Sequence, residues 1–260
     1  MYTLFQIDAF ADKIFTGNPA AVIPLEKWVS DQLMQNIAME NNLSETAFFI
    51  QENNEFYIRW FTPISEVNLC GHATLASGHV IFNHTNYNND QIIFNSKSGI
   101  LKIRKEGQFI ILDFPASDLE EISIPANIEQ ALGIRPEKCI RGREDMMFIF
   151  DNAKEIKSLS PDLRFLKTLN ARGIIVTAPS DEYDFVSRFF APVEGIDEDP
   201  VTGSAHTMLI PYWSGLLQKR ELTAKQISSR GGVLKCTNKG SRVEIGGKAV
   251  TYMIGEICIH

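Results

Sequence analysis

The chain has 260 residues, 44% of them hydrophobic and 22% charged, which suits a globular protein of one large domain or two modest ones. Its net charge of −7 argues against binding to nucleic acid, which usually needs a basic face. No apolar run reaches the roughly 18 residues that would predict a membrane span. The four cysteines form no Cys-x-x-Cys pair, so neither a disulfide framework nor a zinc site is indicated, and we expect a cytoplasmic location.

Most of the first half predicts strands, because short runs of β-branched and aromatic residues alternate with turn residues. The predicted strands are Tyr2–Phe10, Ala20–Pro24, Thr46–Gln51, Phe56–Phe61, Ile100–Arg104 and Phe109–Phe114. A first helix is predicted from Asp31 to about Glu40. Ser30 is its expected N-cap, and its apolar face comprises Leu33, Met34, Ile37 and Ala38.

A second helix is predicted to begin near Gly71, and a similar helix near Ser204. Small and apolar residues occupy nearly every side of both, which indicates buried helices. Pro211 is expected to kink or split the later one, because proline lacks the backbone N–H and crowds the preceding turn.

The chain also contains an internal repeat, seen as three matched blocks in the same order and at nearly constant spacing. They are Phe56–Pro63 with Phe185–Pro192, Cys70–Ala73 with Thr202–Ala205, and Gly99–Lys102 with Gly232–Lys235. We therefore predict an α+β fold of two pseudo-symmetric halves, each a mostly antiparallel sheet curled around a central helix. The expected halves are residues 1–115 and 116–260, joined by the acidic segment 117–121. A return of about the last ten residues to the first half is left as an alternative.

A cleft between the halves is the expected active site, because ligands commonly bind at domain interfaces. Gly71 and Gly203 stand at the predicted helix N-termini, where exposed N–H groups and the helix dipole favour an anion such as a substrate carboxylate. The alternative is that both glycines only permit tight turns.

Three polar residues and one thiol are candidates for chemistry. Glu45 precedes an apolar strand, where partial burial suits a general acid or base, although an ordinary solvated loop glutamate is the alternative. Asp199 stands before the second glycine motif, where the alternative roles are helix capping and compensation of the helix dipole. His72 suits proton transfer or simple packing against the turn. Cys70 has Thr202 at its matched position, which argues against two-thiol racemase chemistry, and with His72 it lacks further metal ligands at sensible spacing.

Four ordered motifs resemble the PhzF family of phenazine-biosynthesis-like proteins over nearly the whole chain. They are Phe10–Val22, Ser44–Phe48, Cys70–Thr74 and Asp199–Ala205. The resemblance implies a fold related to diaminopimelate epimerase, a homodimer, and isomerisation of a substrate such as trans-2,3-dihydro-3-hydroxyanthranilate without metal or organic cofactor.

By the same resemblance, Glu45 is the acid and base that moves a proton, and His72 and Asp199 position the substrate and tune its proton chemistry. The implied substrate-binding residues are Asn18, Ser44, Gly71, Gly203 and Ser204. A small carboxylate substrate is expected, with neither nucleic acid nor membrane as a partner. Two alternatives stay open, namely an amino-acid racemase or epimerase and a non-catalytic binding protein on the same scaffold.

Overall fold

The computed structural model describes residues 1–53 and 55–259. Its helices are α1 (Asp31–Asn41), α2 (Gly71–His84), α3 (Ile128–Leu132), α4 (Ala153–Ser158), α5 (Leu163–Leu166) and α6 (His206–Leu217). The described residues fall into two compact units. The first comprises Met1–Asp113 and the described residues from Ile245 on, and the second comprises Phe114–Glu244. The segment that rejoins the first unit is longer than the ten or so residues suggested by the sequence.

The strands of the chain's first part are β1 (Tyr2–Ala9), β2 (Asn18–Leu25), β3 (Thr46–Glu52), β4 (Glu55–Phe61), β5 (Glu66–Val67), β6 (Gln91–Ser96), β7 (Gly99–Glu106) and β8 (Phe109–Pro115). Those of the remainder are β9 (Glu120–Ile122), β10 (Lys138–Arg141), β11 (Asp145–Ile149), β12 (Gly173–Pro179), β13 (Phe185–Ala191), β14 (Ile196–Asp199), β15 (Glu221–Gln226), β16 (Gly232–Asn238), β17 (Arg242–Gly247) and β18 (Ala249–Ile257). Every strand predicted in the first half is confirmed, whereas the two-residue β5 and the longer β6 were missed. The last two residues of the expected acidic connector, Glu120 and Glu121, belong to strand β9.

In the first unit, the strands pair in the order β18-β1-β2-β3-β4-β6-β7-β8, with the short β5 pairing with the end of β4. The β2–β3 and β4–β6 pairs are parallel, and the others are antiparallel. Strands β1, β2, β3, β7 and β18 all contact α2, so the sheet curls around this helix.

The second unit repeats this pairing scheme. Its order is β9-β10-β11-β12-β13-β15-β16, with the short β14 pairing with β13. The parallel pairs, β11–β12 and β13–β15, occupy the same places in the order as those of the first unit. Because two separate sequences of pairings agree strand by strand, the internal repeat is confirmed as a repeat of fold.

The two predicted helices of the first unit form as expected. The hydroxyl of Ser30 accepts a hydrogen bond from the N–H of Leu33 and so caps α1, whose residues Met34, Ile37 and Ala38 are buried against the sheet. In α2, nine of the residues from His72 to Ile81 are buried, as expected for a helix enclosed by strands. No described helix has the length and apolar character needed to cross a bilayer.

Of the two expected effects of Pro211, splitting of the later helix is wrong, because α6 continues from His206 to Leu217, whereas a kink stays a prediction. A proline at 211 leaves the carbonyl of Thr207 without its usual partner four residues on. That carbonyl accepts a hydrogen bond from the N–H of Ser117 at 3.1 Å. The carbonyl that proline leaves unpaired within the helix is thus satisfied.

We expect His206→Thr to make the stability of the protein less dependent on pH. His206 is fully buried, and burial lowers its pKa from the ordinary 6.5 to about 4. Between those values the unfolded chain binds a proton that the folded chain excludes. Stability therefore falls as the pH drops through this window, by about 1.4 kcal/mol per pH unit for each such group.

Threonine suits this test because the first unit has a threonine, Thr74, at the position that matches His206. Thr74 Oγ1 donates to the carbonyl of Cys70, just as His206 Nδ1 hydrogen-bonds the carbonyl of Thr202 at 2.8 Å. Denaturant unfolding at about pH 7, 6 and 5 should give a shallower decline of the unfolding free energy for the variant than for the wild type. An unchanged slope would contradict the assigned protonation state.

Candidate functional site

Glu45 is held at the entrance to β3 by the sheet. It directly precedes Thr46, which pairs with Ala21 of the parallel neighbour β2, and its carbonyl accepts a hydrogen bond from the N–H of Ala21 at 3.3 Å. Only 13% of the Glu45 side chain is exposed. The alternative of an ordinary solvated loop glutamate is therefore wrong. Ser44, the residue before it, is partly exposed.

His72 is the second residue of α2, and its side chain is 6% exposed. Its Nε2 lies 3.2 Å from Glu45 Oε2, within ion-pair distance but at an angle outside hydrogen-bond geometry. Its Nδ1 lies 3.3 Å from Asn18 Nδ2 and 3.5 Å from Cys70 Sγ. The start of α2 thus brings Cys70 and His72 together with Asn18 and Glu45, which lie far from them in the sequence.

The protonation of His72 follows from its surroundings. Burial lowers its pKa to about 3, so the ring is neutral near pH 7. The amide nitrogen of Asn18 can only donate, so Nδ1 of the ring accepts and Nε2 carries the hydrogen. That N–H lies beside the Glu45 carboxylate, where a small rotation would make it a donor to Oε2. A carboxylate beside a neutral N–H can take a proton from a substrate and return it.

Glu45, Cys70 and His72 could each supply a metal ligand, and their ligand atoms lie within 4.8 Å of one another. The sequence had indicated no third ligand for Cys70 and His72, because Glu45 lies far from them along the chain. However, Glu45 approaches Nε2 of the ring while Cys70 approaches Nδ1. A metal ion binds one ring nitrogen, so the two approaches fit a hydrogen-bonded imidazole better than a shared metal site.

Asp199 ends β14 in the second unit and is 7% exposed. Its carboxylate accepts a hydrogen bond from the hydroxyl of Thr202. Gln226 bridges the same segment, since its Nε2 donates to the Asp199 carbonyl at 2.7 Å and its Oε1 accepts from the Thr202 N–H at 2.9 Å. No side chain caps α6 within the described residues, so the alternative of Asp199 as a helix cap is wrong.

The second glycine motif differs from the first in its position relative to the helix. Gly71 is the first residue of α2, whereas Gly203 lies in a turn and α6 begins at His206. The N–H groups of His206 and Thr207 donate to the carbonyls of Gly203 and Ser204, which are the three-residue bonds of a tighter turn. The prediction that Gly203 stands at the helix N-terminus is therefore wrong, because α6 begins three residues later.

Arg172 and Asp145 form a polar cluster with Ser204 that the sequence analysis missed. One Arg172 nitrogen, Nη2, lies 2.5 Å from Asp145 Oδ2 and 3.1 Å from Ser204 Oγ. Burial raises the pKa of Asp145, and the Arg172 guanidinium acts against that rise. The available signal was that Arg172 adjoins the place in the repeat that corresponds to Glu45.

Strand register defines that correspondence. Thr46 pairs with Phe61, and Ile174 pairs with Phe190, the residue that matches Phe61 in the repeat. Gly173 is therefore the counterpart of Glu45. At this position of the repeat, only the first unit has a carboxylate.

The sequence-predicted site residues thus belong to two groups. Asn18, Ser44, Glu45, Gly71 and His72 lie in the first unit, where the structure brings Asn18, Glu45 and His72 together. The other three, Asp199, Gly203 and Ser204, lie in the second unit. That both groups line a single cleft stays a prediction.

Known proteins resemble this chain along almost its full length. Residues 7–255 match the family model described as phenazine biosynthesis-like protein. Two proteins of Pseudomonas aeruginosa, each described as an uncharacterized isomerase, are 48% identical, one over 97% and the other over 98% of both chains. A mouse phenazine biosynthesis-like domain-containing protein is 40% identical over 98% of both chains.

Solved structures show the same fold. A PhzF-family phenazine biosynthesis protein from Enterococcus faecalis has a TM-score of 0.97 and 46% identity, with 99% of each chain covered. A proline racemase-like structure from Agrobacterium radiobacter has a TM-score of 0.66 and 8% identity, covering 100% of this chain and 94% of that one. The second likeness extends to the fold alone.

We expect Gly173→Ala to destabilise the protein by about 1–3 kcal/mol, the usual cost of overpacking a core. A Cβ at Gly173 would lie 2.1 Å from Cζ of Phe189 and 3.0 Å from Oδ1 of Asp145. Phe189 is 2% exposed and lies under the Arg172 guanidinium, so its ring has little room to move. Crowding at this position explains why the counterpart of Glu45 carries no side chain.

Gly215→Ala is the matched control, because Gly215 lies in α6 and a Cβ there would meet nothing within 4 Å. Alanine should be neutral or stabilising by up to about 1 kcal/mol at a helical position. Denaturant unfolding of both variants measures the difference. Equal stability of the two would show that position 173 tolerates a side chain.

Proposed function

Because the chain belongs to the phenazine biosynthesis-like (PhzC-PhzF) family, we propose that it is an isomerase that moves a proton within a small carboxylate substrate without a cofactor. The observation that carries the proposal is the contact between the Glu45 carboxylate and the neutral imidazole of His72. The isomerase descriptions of two close relatives support the reaction class. The proposed substrate resembles trans-2,3-dihydro-3-hydroxyanthranilate, a cyclic acid with a conjugated system.

Glu45 is proposed to act first as base and then as acid. Its carboxylate takes the proton from one substrate carbon while the C–H electron pair enters the conjugated π system. The Glu45 carboxyl then delivers a proton to another carbon, so the composition and electron count of the substrate are unchanged and no oxidant or metal is consumed. A single carboxylate suits both steps, and because its side chain is 13% exposed, the proton that it carries can exchange with solvent before it is delivered.

His72 and Asn18 are proposed to orient this carboxylate. Asn18 donates to Nδ1 and so keeps the hydrogen on Nε2, the nitrogen that faces Glu45. The N–H favours one placement of Oε2 and stabilises its negative charge before the proton is taken. Gly71 and Ser44 adjoin these residues and are proposed as substrate contacts.

For the second unit, the proposal assigns substrate contact to Gly203 and Ser204 and proton tuning to Asp199. Support comes from the burial of Asp199 and from its bond with Thr202, which holds the carboxylate in one orientation. A homodimer in the cytoplasm completes the proposal, by resemblance to the family.

Glu45→Gln should retain the fold and lose catalysis. Glutamine preserves the shape of the side chain but cannot take up a proton, so turnover should fall by at least about 10²–10⁴, the usual contribution of general acid–base catalysis. The measurement is incorporation of deuterium from solvent into trans-2,3-dihydro-3-hydroxyanthranilate, followed by NMR. A panel of other cyclic and amino acids extends the substrate search.

Glu52→Gln is the matched control, because Glu52 is an exposed residue at the opposite end of β3. It should exchange deuterium at the wild-type rate. Equal exchange by wild type and Glu45→Gln would exclude Glu45 from the mechanism. Tight ligand binding with no exchange of any tested acid by the wild type would instead favour a non-catalytic binding protein.

Cys70→Ala separates the proposed isomerase from a thiol racemase. Cys70 Sγ lies 3.5 Å from His72 Nδ1, which is the arrangement that would favour a thiol base. Its counterpart Thr202 donates its hydroxyl to Asp199 and offers no second thiol. We therefore expect Cys70→Ala to retain deuterium exchange within about tenfold of wild type. Loss by several orders of magnitude in a folded variant would support the racemase.

A further inference from the structure

A hydrogen bond from Arg172 determines what the hydroxyl of Ser204 can do. A guanidinium only donates hydrogen bonds, so Ser204 Oγ is the acceptor of the 3.1 Å contact with Arg172 Nη2. A serine hydroxyl has one hydrogen to donate, and among the described residues the Ser204 hydroxyl has no acceptor for it. Ser204 is also partly exposed. Its O–H is therefore available to donate to a ligand.

Three further contacts hold Arg172 in place, and one of them is an ion pair at 3.6 Å between its Nε and Glu144 Oε2. Asp145, which is 6% exposed, accepts from the same nitrogen at 2.5 Å, and the guanidinium carbon lies 5.5 Å from the centre of the Phe189 ring. Asp145 and Phe189 belong to β11 and β13, the two strands that flank the start of β12. The guanidinium is thus supported by the sheet itself, although its side chain is 32% exposed.

The first unit contains a related arrangement at matched positions. Ser204 corresponds to His72 in the repeat, and Arg172 directly precedes the counterpart of Glu45. In each unit a charged side chain at the start of a strand contacts the residue after the glycine of the motif, at 3.2 Å in the first and 3.1 Å in the second. The charge is negative in the first unit and positive in the second.

From this geometry we propose that Arg172 is a positioning residue, which keeps the Ser204 hydroxyl turned to donate to a carboxylate oxygen of the substrate. The inference rests on the proposed function, because it takes Ser204 to be a substrate contact.

The test is a double-mutant cycle between Arg172→Lys and Ser204→Ala. A lysine preserves the positive charge beside Asp145, but its compact ammonium lacks the planar fork that serves two partners. Binding of anthranilate, a flat aromatic carboxylate, is measured by calorimetry. Each single variant should weaken binding by about tenfold, the effect of one lost hydrogen bond, and the double variant should bind no more weakly than Ser204→Ala.

Kinetics with trans-2,3-dihydro-3-hydroxyanthranilate supply a second readout that a general loss of structure would not give. Arg172→Lys should raise KM by about the same factor while kcat stays near the wild-type value. Arg143→Lys is the matched control, because Arg143 is an exposed arginine close to Asp145 in sequence, and it should bind as the wild type does.

Three results would overturn the inference. These are wild-type affinity of Arg172→Lys, effects of the two variants that multiply in the double variant, and failure of wild-type protein to bind anthranilate. The last would leave the role of Glu45 standing, because deuterium exchange measures that role separately. If Arg172→Lys does not fold, Asp145→Asn replaces it in the cycle, and its weakening of binding should likewise disappear in the Ser204→Ala background.

Discussion

The proposed chemistry depends on the contact between Glu45 and His72, and that contact depends on the parallel pairing of β2 with β3. The pairing places Glu45 at the N-terminal end of β3, within 3.2 Å of His72 at the start of α2. Burial keeps the imidazole neutral. Electrostatic interactions are stronger where water is largely excluded, so a carboxylate and an N–H at 3.2 Å influence each other far more than they would at the surface. Asn18, at the start of β2, then selects the tautomer.

The two units have the same fold but different side chains at equivalent positions. Where the first unit has a carboxylate beside an imidazole, the second has a guanidinium beside a hydroxyl. The difference is enforced by packing, because Phe189 occupies the space that a side chain at Gly173 would need. The charge is carried instead by the preceding residue, Arg172. In the proposed mechanism, the first unit supplies the group that carries a proton and the second supplies the hydroxyl that binds the substrate carboxylate.

Much of the fold could be predicted because the signals are local or repeated. Alternating β-branched and aromatic residues predicted six strands, and Ser30 marked the start of α1. Strand β6 escaped because asparagines surround its short apolar run. The expectation that Pro211 could split α6 failed for a tertiary reason. Proline leaves the Thr207 carbonyl without its helical partner, but the N–H of Ser117, which is distant in the sequence, donates to that carbonyl.

The sequence by itself determined the repeat, the family and the identity of the candidate side chains, since these depend on the order of residues. Tertiary structure decided which of them meet. Strand pairing and helix burial bring Glu45 and His72 together. The contact of Arg172 with Ser204 became visible only in the folded chain, where strand register also shows that Arg172 precedes Gly173, the counterpart of Glu45. Protonation states were equally beyond sequence, because a histidine's charge depends on how much water and which donors surround it, and only the folded chain defines them.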